Sequence, residues 1–379
     1  MLVSSLSLRQ FRNYPALDQS FEPGVNLIVG ANGNGKTNLL ESIYLLATSK
    51  SMRGVRDHEM IQWQAAAAVA SGTVRRQVRP DVTLEVGLSR TAGKTLSVNG
   101  QTQPRVTEFV GALQAVSFCA ADINIIRGEP EKRRRFLDLE ISQMSPRYCL
   151  LLGRYRRVLE QRNQLLRGVR EQPRRGRPDS LAVWTEQLVA LGGAITLKRA
   201  EFIRDLMELA QDRHARLTDD GEALRAAYRP SARLGDDEDP LPSVERVCEL
   251  MHVQVADRLE DECLRGVSLV GPHRDEVLFL INGESVRRFG SQGQQRTATL
   301  SLKLAELQLL REAGGESPVL LLDDVFSELD EQRRAQVLES LGEAEQTFLS
   351  ATEADLVSEE ARRGAAVFRV ASGTLEAVR

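Results

Sequence analysis

Apolar positions alternate along SLSLRQF and then gather, after a turn at SFEPG, in the run VNLIVG. Alternation predicts a half-buried strand, and the run a more deeply buried one. The segment NLLESIYLLATS places apolar residues at helical spacing, so the first 50 residues are expected as strand, strand, loop and helix. Residues 82–103 look like a hairpin, TLEVGLSR with KTLSVNGQ, and Asn99-Gly100 is a turn signal. From about 128 the rhythm becomes helical. Ser145-Pro146 has the form of an N-cap followed by proline at the first helical position. Leu151, Tyr155, Val158, Arg162, Leu165 and Val169 then recur at intervals of three or four.

A polar break, EQPRRGRPDS, precedes a longer helix in which Trp184, Leu188, Leu191, Ile195, Lys198, Phe202, Leu206 and Leu209 trace a near-heptad seam interrupted by Lys198. The two helices are expected to form an antiparallel hairpin. RPSARLGDDEDPLPS is expected as a loop, and 243–265 as a further helix. Strands and turns return from about 266, followed by a helix over 297–313 and strands at Val319–Leu322, Thr347–Ala351 and Val367–Val370. The order implies an α/β domain split around a helical insertion, with boundaries at 1–120, 121–265 and 266–379.

Composition narrows this picture. A chain of 379 residues, 42% hydrophobic and 27% charged, is expected to be soluble and globular in two or three units. No run approaches the roughly 18 apolar residues of a membrane helix, and MLVSSLSLRQFRNY lacks the apolar stretch of a signal peptide. Cys119, Cys149, Cys248 and Cys263 form no CxxC pair, so a reducing, cytoplasmic setting is expected.

The clearest chemistry lies between the second strand and the first helix. Gly30-Ala31-Asn32-Gly33-Asn34-Gly35-Lys36-Thr37 matches GxxxxGK[ST], the loop whose curled backbone points N–H groups at phosphates. The helix N-terminus adds partial positive charge. Lys36 is expected on the β- and γ-phosphates of ATP and the Thr37 hydroxyl on Mg2+; Asn38 is counted with the nucleotide-binding residues. Val319–Leu322 ends in Asp323 and Asp324: the first is the expected Mg2+ acid, the second is placed to polarise the attacking water. On its own such an ending could equally be a helix cap.

Ser291-Gln292-Gly293-Gln294 opens a helix about 30 residues before that strand. It resembles the signature loop of ABC-type ATPases, and Ser327-Glu328-Leu329-Asp330 resembles their D-loop. In that class the signature serine and glycine bind the γ-phosphate of a nucleotide held by another subunit. The resemblance therefore implies a composite site, with Ser291, Gly293 and Gln294 acting in trans and ATP holding two copies together. The 255 residues from Lys36 to Ser291 exceed what transporter ATPases have, as in the SMC/Rad50 class, whose heads are interrupted by a coiled coil; here the insertion is too short for a long one.

The closer resemblance is to the RecF family of recombination mediator ATPases. It rests on LRQFRNY, GANGNGKTNLLE, KRRRFLD (Lys132–Asp138), GPHRDE (Gly271–Glu276), SQGQQR and LLLDDVFSELD, in order along nearly the whole chain. It implies an ABC-type P-loop head with an inserted helical arm. It also implies a slow Mg2+-dependent ATPase that forms an ATP-dependent homodimer on duplex DNA at gaps or single-strand/double-strand junctions. RecO and RecR are the implied partners, and RecA the recombinase loaded. Arg12 and Asn13 match a motif that approaches the nucleotide in related heads, with a plain strand-end turn as the competing reading. Asp324 stands where the wider class has a catalytic Glu, and Thr352 where many members have a switch His. Residues 117–122, SFCAAD, depart from the family's Pro-Glu-Asp pattern.

Net charge is only −3, but Arg127–Arg177 holds 15 basic and 6 acidic residues, a local +9, leaving −12 for the rest. That segment is the expected DNA contact, with Arg170, Arg174, Arg175 and Arg177 at the hairpin loop. A solvated loop is the competing reading. Arg133–Arg135 read as ion pairs to Glu129, Glu131 and Asp138, with a DNA contact as the competing reading. His273 and Arg274 have no physical role visible in the sequence, a lone His being more often a satisfied polar group. Two other functions fit parts of the pattern: a transporter ATPase, disfavoured by the long basic insertion, and the head of another SMC/Rad50-like or defence complex that drives a partner nuclease.

Overall fold

The computed structural model describes residues 1–218, 221–232, 243–328, 331–353 and 364–378, without the side chains of 175, 327, 328, 331, 332 and 340. Most of the expected 229–243 loop, and Leu329 and Asp330 of the expected D-loop, lie outside the described residues. The chain forms two compact units: a head of residues 1–123, 212–220 and 296–379, and an arm of 124–211 and 221–295.

The head carries two sheets. One is antiparallel, in the order Tyr14–Ser20, Leu2–Phe11, Ala67–Arg75, Val82–Ser89, Gly93–Val98 and Gln101–Thr102. The hairpin of 82–98 turns through residues 90–92, while Asn99 (φ 51°) and Gly100 (φ 76°) make the next turn, into Gln101–Thr102. The second sheet runs Thr374–Ala377, Ala366–Ala371, Gly24–Val29, Gln346–Ala351, Val319–Asp323 and Ala115–Cys119, with only the Thr374–Ala377 edge antiparallel. Leu320, Leu321 and Leu322 are fully buried, as unbroken apolar runs are in parallel sheets.

The helix Lys36–Thr48 packs against strands of both sheets. Leu39, Leu40, Ile43, Leu45, Leu46 and Ala47 are all fully buried, so apolar residues surround its axis. Each fully buried Leu or Ile contributes roughly 1.5–3 kcal/mol, which anchors the loop in front of this helix.

The arm holds helices Pro130–Met144, Pro146–Glu171, Ser180–Leu217 (its last turns counted with the head) and Val244–Arg265, with a small antiparallel sheet. Ser145 caps the second helix, its hydroxyl accepting from the Tyr148 N–H at 3.2 Å with proline at the first position. The seam of Ser180–Leu217 is interrupted at Lys198 because Lys198 faces solvent, paired with Glu201, while its neighbour Arg199 turns inward to Asp138. Gly192 and Gly193 let Val244–Arg265 come close: a Cβ on Gly193 would lie 2.5 Å from Cys248 Sγ, and one on Gly192 2.7 Å from Met251 Cε.

Three expectations need correction. Strand Glu276–Ile281 pairs along its length with Leu224–Arg229, a strand with no signal in the sequence. Residues 266–295 therefore group with the arm and not with the C-terminal half of the head. The helix expected over 297–313 spans Gln292–Gly314, earlier than the apolar rhythm reads but where Ser291–Gln294 is expected to open a helix. Finally, Ser180–Leu217 is long and apolar enough to cross a membrane by length and composition, although no such run was expected. A core helix passes the same test, and this one buries Leu188, Ile195 and Leu206 together with the ion-paired Arg199.

Candidate nucleotide site

In a parallel sheet the C-terminal strand ends line one edge, where loops bind ligands. Here Val29 pairs with Ala351 and leads into the glycine-rich loop, while Asp323 stands level with both Ser350 and Cys119. Register alone thus brings Gly30, Ser350 and Asp323 to one edge. The Thr37 hydroxyl donates to Asp323 Oδ1 at 2.8 Å, and the Ser350 hydroxyl donates to the same oxygen at 2.8 Å. Burial raises the Asp323 carboxyl above its ordinary value, and these two hydrogen bonds pull it back. Ser350 Oγ also accepts from the Asp324 N–H, at a residue held in the left-handed region with φ 53°.

The loop turns on two glycines, and the Asn34 N–H closes it on the Ala31 carbonyl at 3.3 Å. Gly33 (φ 85°) and Gly35 (φ 117°) occupy left-handed conformations that favour glycine. A Cβ on Gly35 would also lie 2.5 Å from the Asn13 amide. Asn13 Nδ2 donates to the Asn34 carbonyl at 2.7 Å, and Asn13 Oδ1 accepts from Asn38 Nδ2 at 2.8 Å. Tyr14 donates to the Gly35 carbonyl. Lys36 Nζ lies within the loop, 2.6 Å from the Gly30 carbonyl and 3.3 Å from Asn32 Oδ1. Burial lowers its ammonium below the ordinary value, opposed by Asp324 and Asp323. Ala31, Asn32 and Gly33 are exposed.

Arg12 has φ 51° and donates to Glu41 Oε2 at 2.9 Å and to the Glu59 carbonyl at 2.8 Å. Glu41 is fully buried on the P-loop helix and also receives the Ser51 hydroxyl. Three residues of this site had no assigned role in the sequence: Ser350, Glu41 and Arg53. Arg53 donates to Asn38 Oδ1 at 3.2 Å and its charge reaches Asp323. Only parallel pairing reveals Ser350. Glu41 stands in the quoted GKTNLLE stretch, five residues after Lys36.

Ser291 is exposed, in the arm unit. Its hydroxyl accepts from the Gln294 N–H at 3.1 Å while Gln294 Oε1 accepts from the Ser291 N–H at 2.8 Å, a capping box on helix Gln292–Gly314. Gln294 Nε2 continues to Glu222, and Gly293 is half-buried. Of the expected DNA residues, Arg170 donates to the Arg265 carbonyl, Arg177 stands 3.8 Å from Glu260, and Arg174 is exposed; the side chain of Arg175 lies outside the description.

Arg133 is an ion-paired structural residue, but its partner is Glu276, at 2.6 and 2.8 Å, rather than Glu129, Glu131 or Asp138. Arg134 donates to the Asp275 carbonyl. GPHRDE is the centre of a buried polar hub in the arm. Asp275 accepts from the Ser231 N–H at 2.7 Å, Thr196 at 3.3 Å and the Tyr228 hydroxyl. His273 bridges the Tyr155 hydroxyl at 2.7 Å and the Ser268 carbonyl at 3.1 Å.

Head, loop and split sequence define an ABC-type P-loop ATPase head with an inserted helical arm. The sequence pattern of the RecF/RecN/SMC N terminal domain matches residues 2–376, and the chain belongs to that family, on its RecF branch. It is 41% identical over 379 residues to the DNA replication and repair protein RecF of Halalkalibacterium halodurans, spanning 99% of each chain. It is 40% identical over 375 residues to that of Bacillus subtilis, spanning 99% of this chain and 100% of the relative. A solved structure of the recombination mediator protein RecF-ATP in the RecFOR pathway matches with a TM-score of 0.89 at 32% identity, over 100% of this chain and 97% of that one. The Smc head domain of Pyrococcus furiosus, at 15% identity and a TM-score of 0.55, shares the fold.

Proposed function

We propose that this chain is an ATP-gated DNA switch of recombinational repair. The observation that carries the reading is the 2.8 Å bond from Thr37 to Asp323, which joins the glycine-rich loop to the strand-end carboxylate. These hard oxygen donors are the kind Mg2+ takes alongside nucleotide phosphates. The chemistry Mg2+ supplies there is neutralisation of the β- and γ-phosphate oxygens. In this reading the N–H groups of residues 31–37 cradle the phosphates, and Lys36 leaves the Gly30 carbonyl for the β- and γ-oxygens. Asn13 and Asn38 brace the loop, with Arg12 beside them, and Ser350 orients Asp323. Asp324 holds the attacking water; shorter than Glu by a methylene, it reaches less far, so turnover is slow. The Ser291–Gln294 loop, with Gly293, meets the γ-phosphate on a second copy, so ATP closes a homodimer and hydrolysis opens it.

The family resemblance extends this to duplex DNA near gaps or junctions, to RecO and RecR as partners in loading RecA, and to the cytoplasm as the place of action. Sedimentation with and without ATP·Mg2+ tests the switch. The wild type should pass from monomer to dimer and Lys36→Ala should stay monomeric. Ser291→Arg should bind ATP yet fail to dimerise. A wild type that stays monomeric with ATP defeats the composite site.

A further inference from the structure

The exposed arginines of the arm are neutralised very unevenly. On helix Val244–Arg265, Arg246 pairs with Glu249 at 3.0 Å and Arg258 with Asp261 at 3.3 Å. On Ser180–Leu217, Lys198 pairs with Glu201 and Arg204 with Asp205. These are solvated faces whose charges cancel locally.

Helix Pro146–Glu171 differs. It carries seven arginines against two acids, Glu160 and Glu171. Arg162 is fully buried on Glu262, Arg156 reaches Asp138, and Arg170 is held by the Arg265 carbonyl and Glu171. Arg147, Arg154, Arg157 and Arg167 are exposed and make no ion pair or hydrogen bond among the described residues, and Arg167 lies on another side of the helix, beside Gly266. At 100° per residue, Arg147 and Arg154 point almost the same way, with Arg157 about 60° further round. Exposed Gln161 and Gln164 continue that face. Its three cations lie about 10 and 4.5 Å apart along an axis about 39 Å long, more than one duplex turn of about 34 Å.

From this we infer that the outward face of Pro146–Glu171, centred on Arg147, Arg154 and Arg157, is a sequence-independent contact for the phosphate backbone of duplex DNA. The inference rests on the DNA reading above and moves its centre away from the hairpin loop. Unpaired guanidiniums suit phosphate oxygens, and the neighbouring glutamines supply neutral donors without opposing charge. Aromatic side chains are absent from the exposed positions of this face, so the contact is with backbone rather than stacked bases.

The test is duplex affinity of the full chain with ATP·Mg2+, read by fluorescence anisotropy across a salt series. Joint Arg147→Gln, Arg154→Gln and Arg157→Gln keeps good helix formers on the surface. It should flatten the log–log salt slope by about 0.9 per lost contact, about 2.7 in all. Joint Arg170→Gln, Arg174→Gln and Arg177→Gln should change the slope by less than about 1. Should the first triple variant lose its fold, each single substitution is expected to flatten the slope by about 0.9. An unchanged slope in the helix-face variants, with wild-type duplex binding intact, overturns this face alone; so does a loop variant that takes the whole loss. A wild type with no affinity for duplex overturns the DNA reading and this face together.

Discussion

The glycine-rich loop of the head and the GPHRDE hub of the arm are both dense, polar and conspicuous in sequence, yet they differ in what they leave undone. In the hub nearly every polar group turns inward. Asp275 gathers Ser231, Thr196 and Tyr228, Glu276 takes Arg133, and His273 is occupied on both ring nitrogens. In the loop the side chains are committed, with Asn13 on Asn34 and Thr37 on Asp323, but exposed Ala31, Asn32 and Gly33 present backbone to solvent ahead of a helix N-terminus. A closed polar network specifies architecture. In the proposed reading, a network that braces an open backbone, with a carboxylate at its rim, receives an anion and a metal. Variants in the two places should therefore fail differently.

The largest effect is expected in the arm. Arg162 and Glu262 are both fully buried and 2.6 Å apart, and Arg162 also donates to Ser268 and Thr185. Arg162→Ala strands a buried carboxylate and should destabilise by about 3–5 kcal/mol in urea unfolding. Glu262→Gln in the same background should recover part of that. If the loss spread equally to ATP affinity of the folded fraction, the division between architecture and chemistry would not hold. Next comes Ser350→Ala. Ser350 touches no proposed ligand itself but donates to Asp323 and accepts from the Asp324 N–H, so ATP turnover should fall about 10- to 100-fold, as outer partners of metal ligands commonly show. Its unfolding midpoint should move less than that of Arg162→Ala, since each of the two hydrogen bonds lost is worth about 1 kcal/mol. Turnover near the wild-type rate would remove Ser350 from the site.

Much of the loop was legible in advance, because glycines, lysine and threonine at fixed spacing are local demands of a phosphate cradle. Asp323 and Asp324 were legible as the end of an unbroken apolar run. What sequence could not supply was pairing at a distance. Ser350 acquires its role only because Gln346–Ala351 runs parallel to Val319–Asp323 with Ser350 opposite Asp323. Leu224–Arg229, short and with four of its six residues arginine or alanine, has no strand signal of its own and forms because Glu276–Ile281 offers it an edge. The same pairing holds 266–295 in the arm. Arg133 shows the limit for charge: its nearest acids in sequence are not its partner, since Glu276 is brought to it from 143 residues away. Charge clustering over Arg127–Arg177 was visible, but which arginines are spent internally was not.

The smallest effect separates the two regions by pH. Burial depresses the His273 imidazole to about 4 from an ordinary 6.5; Arg274, Arg134 and Arg162 push the same way, against the Ser268 carbonyl that favours the charged ring. A folded value below the unfolded one means the unfolded chain binds the extra proton. The stability tied to neutral His273 is therefore complete above about 6.5 and is lost as pH falls toward 4. Between pH 7 and 5.5 the loss from this group should be about 1 kcal/mol, read as a shift in the urea midpoint. His273→Gln keeps a donor and an acceptor but cannot titrate, so its midpoint should be lower at pH 7 and flatter toward pH 5.5. Equal slopes in both proteins would mean that the hub does not hold His273 neutral, and the closed network would then have an opening that its hydrogen bonds do not reveal.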